Sequence, residues 1–343
     1  MDLETNKPRR RAPVMSDVGR LAGVSHQTVS RVINGSINVR PETRERVLAA
    51  MRELGYRPNP VARALVTGRS QTLGVVSFDT TLYGPASTLF GIERAAHEVD
   101  YFIIVASLKA LNRSSIPEAV ERLEHHGVDG ILVIAPLEES AEALLHERLT
   151  TLPLVAVEAG PEAGIPVVAI DQEGGAAAAT RHLLDLGHET VWHIAGPRSF
   201  LEAQRRLEGW RTTLTEANID PPPPLYGDWS ARAGYDLGRR LSRDRNVTAI
   251  FVANDQMALG VLRAMHEAER EIPEDVSIVG FDDIPEAPYF TPPLTTIRQD
   301  FDELGSRSVR LLLRMLDVGK PLPAGDSPTP QLIVRASTNV APR

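Results

Sequence analysis

Between Ser25 and Asn34 the chain sets out side chains suited to reading a nucleic acid. His26, Gln27, Ser30 and Arg31 share one face of a predicted helix, with Val29, Val32 and Ile33 on the other. An imidazole, an amide and a guanidinium on such a face can meet base edges in the major groove. Arg31 suits the N7 and O6 of a guanine and Gln27 an adenine, each pair worth about 1–3 kcal/mol of discrimination. Ser25 offers a hydroxyl N-cap to this helix. Something must hold it in place. Upstream, Val18 and Leu21 have helical spacing, Ala22 is small where two helices cross, and Gly23 fits a turn. The pair reads as a helix-turn-helix, although two helices alone would suit a surface hairpin equally well.

A third helix decides between these readings. Arg40-Pro41-Glu42 opens it with proline in the first turn and an acid near the positive end of the helix dipole. Val47, Leu48, Met51 and Leu54 form its apolar stripe, and Gly55 stops it. After Tyr56-Arg57-Pro58, Asn59 can cap a short segment running through Ala62 and Leu65 to Gly68. At about seven residues that segment is too short to be a stable helix alone. Here the chain resembles the lactose-repressor (LacI/GalR) family. The resemblance rests on Asp17-Val18, Ala22-Gly23-Val24-Ser25, Thr28-Val29-Ser30-Arg31-Val32, Asn34 and Tyr56-Arg57-Pro58-Asn59.

The whole chain bounds the reading further. Its 343 residues suit a small module joined to a large α/β body. Residues 1–70 carry 13 Lys+Arg against six Asp+Glu, and the remainder 24 against 39. A basic head on an acidic body puts DNA contact at the N-terminus and discourages it elsewhere. With no cysteine, disulfides, thiolate metal sites and cysteine nucleophiles are excluded. The first 13 residues are polar and do not read as a secretory signal, so a cytoplasmic, nucleoid-associated protein is expected. No apolar run approaches the roughly 20 residues of a membrane helix. Arg9, Arg10 and Arg11 suit a disordered arm with phosphate contacts, or a merely solvated tail.

From Leu73 onward short apolar strands alternate with helices. Leu73–Val76, Phe102–Val105, Ile131–Ile134, Leu154–Val157 and Val167–Ile170 are continuous apolar runs, as expected of parallel strands covered on both faces. A second series runs through Val191–Ala195, Ala249–Val252 and Ser277–Phe281. Two doubly wound α/β units are the simplest reading. A dinucleotide or nucleotide enzyme would show GxGxxG after a strand or GxxxxGK[ST], and neither is present. HExxH and GxSxG are absent too, so no catalytic role, cofactor or metal is expected.

The family resemblance continues to about Asn339 through Gly227-Asp228-Trp229-Ser230, Val252 to Gly260, Gly280-Phe281-Asp282-Asp283 and Pro292 to Ile297, nearest in wording to the family's namesake. It implies a periplasmic-binding-protein-like (type I) body with a sugar-sized effector in its cleft. The expected division is a basic arm at 1–13, the helix-turn-helix at 14–58, and a hinge helix and linker at 59–71. One subdomain would comprise 72–170 with 301–328, and the other 171–298 with 329–343.

By the same resemblance Arg206, Trp229, Asn254 and Asp282 are the central effector ligands, and Leu82, Glu158 and Phe301 line the cleft. Arg206 can donate two parallel hydrogen bonds to vicinal hydroxyls. Asn254 and Asp282 end predicted strands, where open α/β sheets hold ligands. Trp229 would offer a wall to the apolar face of a pyranose, or belong to the core. Asp255 reads as a helix N-cap. Glu158, Phe78, Glu202 and Gln204 depart from the namesake, which leaves the sugar's identity open. On the DNA side His26, Gln27 and Arg31 match base-reading positions. Ser25, Thr28, Ser30, Asn34, Arg40 and Thr43 match phosphate or scaffold positions. Asn59, Ala62 and Leu65 match a hinge in which Leu65 wedges into the minor groove.

The implied function is a homodimeric repressor bound to a pseudo-palindromic DNA operator and released by a small sugar, galactosides among the candidates. Only about four residues follow Asn339, so a dimer is expected over a tetramer. Three rivals remain: a purine- or other metabolite-responsive relative, a solute-binding protein, and a sugar-processing enzyme. The second would need an export signal and has no use for a basic head. The third would need an acid/base pair that the sequence does not display.

Overall fold

A computed structural model describes residues 13–33, 38–57, 64, 68–78, 80–108, 115–144, 150–160, 165–323, 325 and 327–342. Asn34, Asn59, Ala62, Leu65 and Arg9 to Arg11 lie outside these residues. The chain divides into two compact units, 1–70 and 71–343.

Among the described residues the first unit packs the helices α1 (Met15–Ala22), α2 (His26–Ile33) and α3 (Pro41–Leu54). Gly23 ends α1 in the left-handed conformation, φ 64°, which glycine adopts without cost. Ser25 Oγ accepts from Thr28 N at 3.2 Å, so the N-cap forms as its residue type predicts. Val18, Ala22, Val29, Val32, Val47 and Ala50 make the core. Two expected core residues are not in it: Leu21 is 46% and Leu48 39% exposed. At 100° per residue, the buried positions of α1 (Val18, Gly19, Ala22) centre roughly 110° from Leu21, and those of α3 centre about as far from Leu48. Spacing alone admitted both leucines; the crossing of α1 on α3 chose the other side.

The second unit holds two sheets. β1 (Thr72–Phe78), β2 (Phe102–Leu108), β3 (Gly130–Ile134), β4 (Leu154–Val157) and β5 (Val167–Val168) form the first, in the order β2-β1-β3-β4-β5 and all parallel. α4 (Tyr83–Glu98), α5 (Ser115–His125) and α6 (Glu138–Leu144) connect them. α7 (Gln172–Asp185) leads to the second sheet. Its strands are β6 (Trp192–Ala195), β7 (Leu225–Tyr226), β8 (Ala249–Val252), β9 (Ser277–Asp282), β10 (Thr295–Arg298) and β11 (Gln331–Ile333). They lie in the order β11-β10-β9-β8-β6-β7, parallel except for β11. α8 (Leu201–Glu216), α9 (Ala231–Leu241), α10 (Asp255–Glu267) and α11 (Phe301–Val318) complete the unit.

Most strands are buried on both faces, as continuous apolar runs require. β2 is the exception. It is an edge strand with Phe102 77% and Val105 44% exposed, so its apolar run does not mean two covered faces. β7 and β11 have only two and three residues, and β10 sets one isoleucine among two threonines and an arginine, so none reads as a continuous apolar run. α4 and α11 cross where Gly91 meets Gly305. A Cβ on Gly91 would sit 2.2 Å from the Phe301 carbonyl oxygen. That close approach seats Phe301 edge-on against Tyr83, ring centroids 5.8 Å apart.

Candidate functional site

On the first unit, α2 points Val29 and Val32 into the core, which turns His26, Gln27 and Arg31 outward. All three are exposed, as are Ser25 and Arg40; Thr28, Ser30 and Thr43 are partly buried. Thr28 Oγ1 shares a 3.0 Å hydrogen bond with Ser25 Oγ. An unobstructed face with one amide, one imidazole and one guanidinium can dock against base edges.

In the second unit a cavity of about 500 Å³ opens at the carboxyl ends of the strands, within the range of small-molecule sites. Arg206, Trp229, Asn254, Asp282 and Leu82 line it. Glu158 and Phe301 line a narrower adjoining recess shared with Arg206 and Glu202. The fold thus brings all seven candidate residues together around Arg206. Phe78 lines neither space; it packs against apolar clusters beneath both sheets.

Three of the eight non-glycine positions with positive φ among the described residues are site candidates. Glu158 (φ 58°), Trp229 (φ 73°) and Asp282 (φ 111°) have positive φ, rare for residues with a Cβ and costing about 1–3 kcal/mol each. Glu158 follows β4, Trp229 follows β7 and Asp282 ends β9. Strain of this kind persists where tertiary contacts over-determine a loop, and functional sites are its common setting.

Arg206 is buried on α8, its guanidinium 3.9 Å above the Phe281 ring. Its Nε donates to Gln172 Oε1 at 2.8 Å and a terminal nitrogen donates to the Ala253 carbonyl at 2.5 Å. The other terminal nitrogen lies 3.6 Å from Asp282 Oδ1. Gln299 donates to the same Asp282 oxygen at 2.7 Å and accepts from Gln172 at 2.8 Å. Burial pushes the Asp282 carboxyl up to about 7, opposed by Arg206 and assisted by Glu202. Burial, with repulsion from Glu202, raises Glu158 to about 8. Glu202 is raised by burial as well, against the pull of Arg206. One cation therefore serves three carboxyl groups.

Asn254, not Asp255, caps α10: its Oδ1 accepts from Met257 N at 3.0 Å and its Nδ2 donates to the Trp229 carbonyl at 3.1 Å. Asp255 lies wholly buried one residue further, bonded to Ile284 N and Thr296 Oγ1 at 2.9 and 2.6 Å. The capping expectation for Asp255 is corrected because the helix starts one residue earlier than that expectation required, at Asp255 itself. Trp229 serves both readings: only 7% exposed and packed edge-on to Phe200, it also walls the cavity.

Sequence reasoning missed Tyr83, Asp228, Glu286, Gln172 and Gln299. Asp228 lies inside the Gly227–Ser230 motif without having been singled out, the other four lie in no motif, and Gln172 and Gln299 meet across 127 residues of chain. It also missed where the two sheets' loops touch. Leu137 and Phe200 form an isolated antiparallel bridge, and Gln204 donates to Glu138 at 2.7 Å.

Comparison with known proteins bears on the family and the fold. Residues 14–59 match the model for bacterial regulatory proteins of the lacI family, and residues 180–338 match a periplasmic-binding-protein-like domain. The lactose operon repressor of Escherichia coli (strain K12) is 36% identical over 327 residues, spanning 95% of this chain and 90% of that protein. The transcriptional repressor PurR of Haemophilus influenzae (strain ATCC 51907 / DSM 11121 / KW20 / Rd) is 33% identical, spanning 94% of this chain and 98% of that one. A crystal structure of the lac repressor dimer bound to operator and the anti-inducer ONPF superposes with a TM-score of 0.84 at 35% identity, covering 96% of this chain and 100% of that one. With a helix-turn-helix at 14–59 and this similarity along nearly its whole length, the chain belongs to the lacI family of bacterial regulatory proteins.

Proposed function

We propose that the protein is a homodimeric, DNA-binding transcriptional repressor, acting in the cytoplasm at the nucleoid and released from its operator by a small sugar. The observation that carries this is the pairing, in one chain, of an exposed His26–Gln27–Arg31 face with a cavity of about 500 Å³ centred on Arg206. A sugar's vicinal hydroxyls suit a guanidinium and a carboxylate held side by side, and Trp229 suits its apolar ring face. Large apolar side chains left exposed on the second unit, Leu259 on α10 and Tyr289 after β9, suit a twofold contact between copies. Two heads would then read two half-sites of a pseudo-palindrome. No chemical turnover of the sugar is expected.

Effector and operator binding are coupled if the sugar binds more weakly to the DNA-bound state, with a coupling of about 1–3 kcal/mol. Selection of duplexes from a random-sequence pool, followed by release with a sugar panel, tests the proposal. Two-half-site palindromes released by one sugar class are expected; recovery of no sequence preference would overturn it. Arg31→Ala should cost about 1–3 kcal/mol in operator affinity and relax one base position in each half-site. Similarity to PurR supports a second reading, a purine effector, and release by nucleobases but not by sugars would favour it.

A further inference from the structure

The charged groups lining the cavity are unequal in sign. Glu202, Asp228, Asp282 and Glu286 face it, and Arg206 is the one cation among the described lining residues. The adjoining recess adds Glu158. Arg206 does not balance this set. Its donors are held by Gln172, the Ala253 carbonyl and, more loosely, Asp282. Among the described residues no cation lies within ion-pair distance of Glu158 or Glu202. Glu202 stands one helical turn before Arg206 on α8, so it shares the guanidinium's face and looks into both spaces. Glu158 enters the recess from the strained end of β4, with one oxygen 3.2 Å from Ile170 N.

Recessed carboxyl groups that share a single counter-charge either take up protons or wait for a further cation. A neutral sugar leaves the excess unrelieved, and a sugar acid or phosphate ester enlarges it. An ammonium group on the ring gives Glu158 and Glu202 what they lack, while the ring hydroxyls remain for Arg206 and Asn254. We infer that Glu158 and Glu202 form a cation-accepting subsite beside Arg206, so that the effector is a sugar bearing a basic amine. This rests on the sugar-effector reading above and narrows it.

The inference fixes the sign of the pH dependence. An ammonium ligand needs these groups ionised, and the charged groups facing them are Arg206 from α8 and Asp282 from β9. Because burial holds Glu158 and Asp282 protonated near neutrality, affinity for an amino sugar rises as pH climbs from 6 towards 8. A neutral sugar held by protonated Glu158 would show the opposite trend.

Titration calorimetry on the full-length protein tests this with galactosamine and glucosamine, their N-acetylated and neutral parents, and the 6-phosphates, at pH 6 and 7.5. At least one amine is expected to bind tenfold or more tightly than its parent at pH 7.5, with the gap shrinking at pH 6 and the phosphates silent. Glu202→Gln and Glu158→Gln should each reduce that preference tenfold while neutral sugars change less. Neutral sugars binding as tightly as amines, or a preference that survives both substitutions, would overturn the inference and leave the sugar reading standing. Silence from every sugar would overturn both. If either variant failed to fold, the amine-to-parent ratio and its pH trend in the unaltered protein would still decide.

Discussion

Arg206 is committed to Gln172, Ala253 and Asp282 before any effector arrives. Arg206→Ala therefore removes both the proposed effector donor and, among the described residues, the one cation beside Asp282. Charge-assisted hydrogen bonds are worth about 1.5–3 kcal/mol each, so effector affinity should fall tenfold or more while operator binding persists. Normal release of DNA by effector in that variant would contradict the cleft assignment. Glu158 carries a second prediction. Its folded value of about 8 lies above the ordinary 4.5, so the stability tied to its neutral form is complete below about pH 4.5 and is lost as pH rises through 8. Glu158→Gln should raise the melting temperature of the ligand-free protein at pH 8, with the gain vanishing near pH 4.5. A gain that is flat across this range would mean that Glu158 titrates normally.

At the scale of elements, the helix crossings set the site. α4 carries Leu82 and Tyr83 at its start and α11 carries Phe301, and they are drawn together because Gly91 and Gly305 leave no Cβ between them. Gly91→Ala puts a methyl group 2.2 Å from the Phe301 carbonyl oxygen, where backbone must move. A loss of about 1–3 kcal/mol in unfolding free energy is expected, with effector affinity reduced because Phe301 is displaced; an unchanged urea midpoint would refute the close crossing. The elements themselves were largely legible. Continuous apolar runs identify β1, β3, β4, β8 and β9, and Ser25, Gly23 and Gly55 punctuate the small helices. Leu21, Leu48 and Phe102 were misjudged because apolar type records what can be buried, while the packing partner decides which face is.

For the whole molecule, charge is split between a basic first unit and an acidic second one. Operator affinity should fall steeply with salt, and residues 71–343 alone should not bind DNA. Association is expected through the second unit. Leu259→Arg, placing charge on an exposed apolar position, should shift the sedimentation of the full chain from dimer to monomer and lower operator affinity with it. Dimeric sedimentation of that variant would move the interface elsewhere.

The sequence by itself determined the periodic and local features: a helix-turn-helix with its exposed polar face, the α/β alternation, and family motifs that pointed to Arg206, Trp229, Asn254 and Asp282. These follow from spacing and residue type, which short-range geometry converts directly into faces and caps. The tertiary structure alone decided what surrounds them. Gln172 and Gln299, 127 residues apart, meet at Asp282 and Arg206, Asn254 takes the capping role expected of Asp255, and five carboxyl groups gather around one guanidinium. Nothing in the linear order announces such a gathering. The charge and burial of a side chain are set by which distant strand ends converge on it.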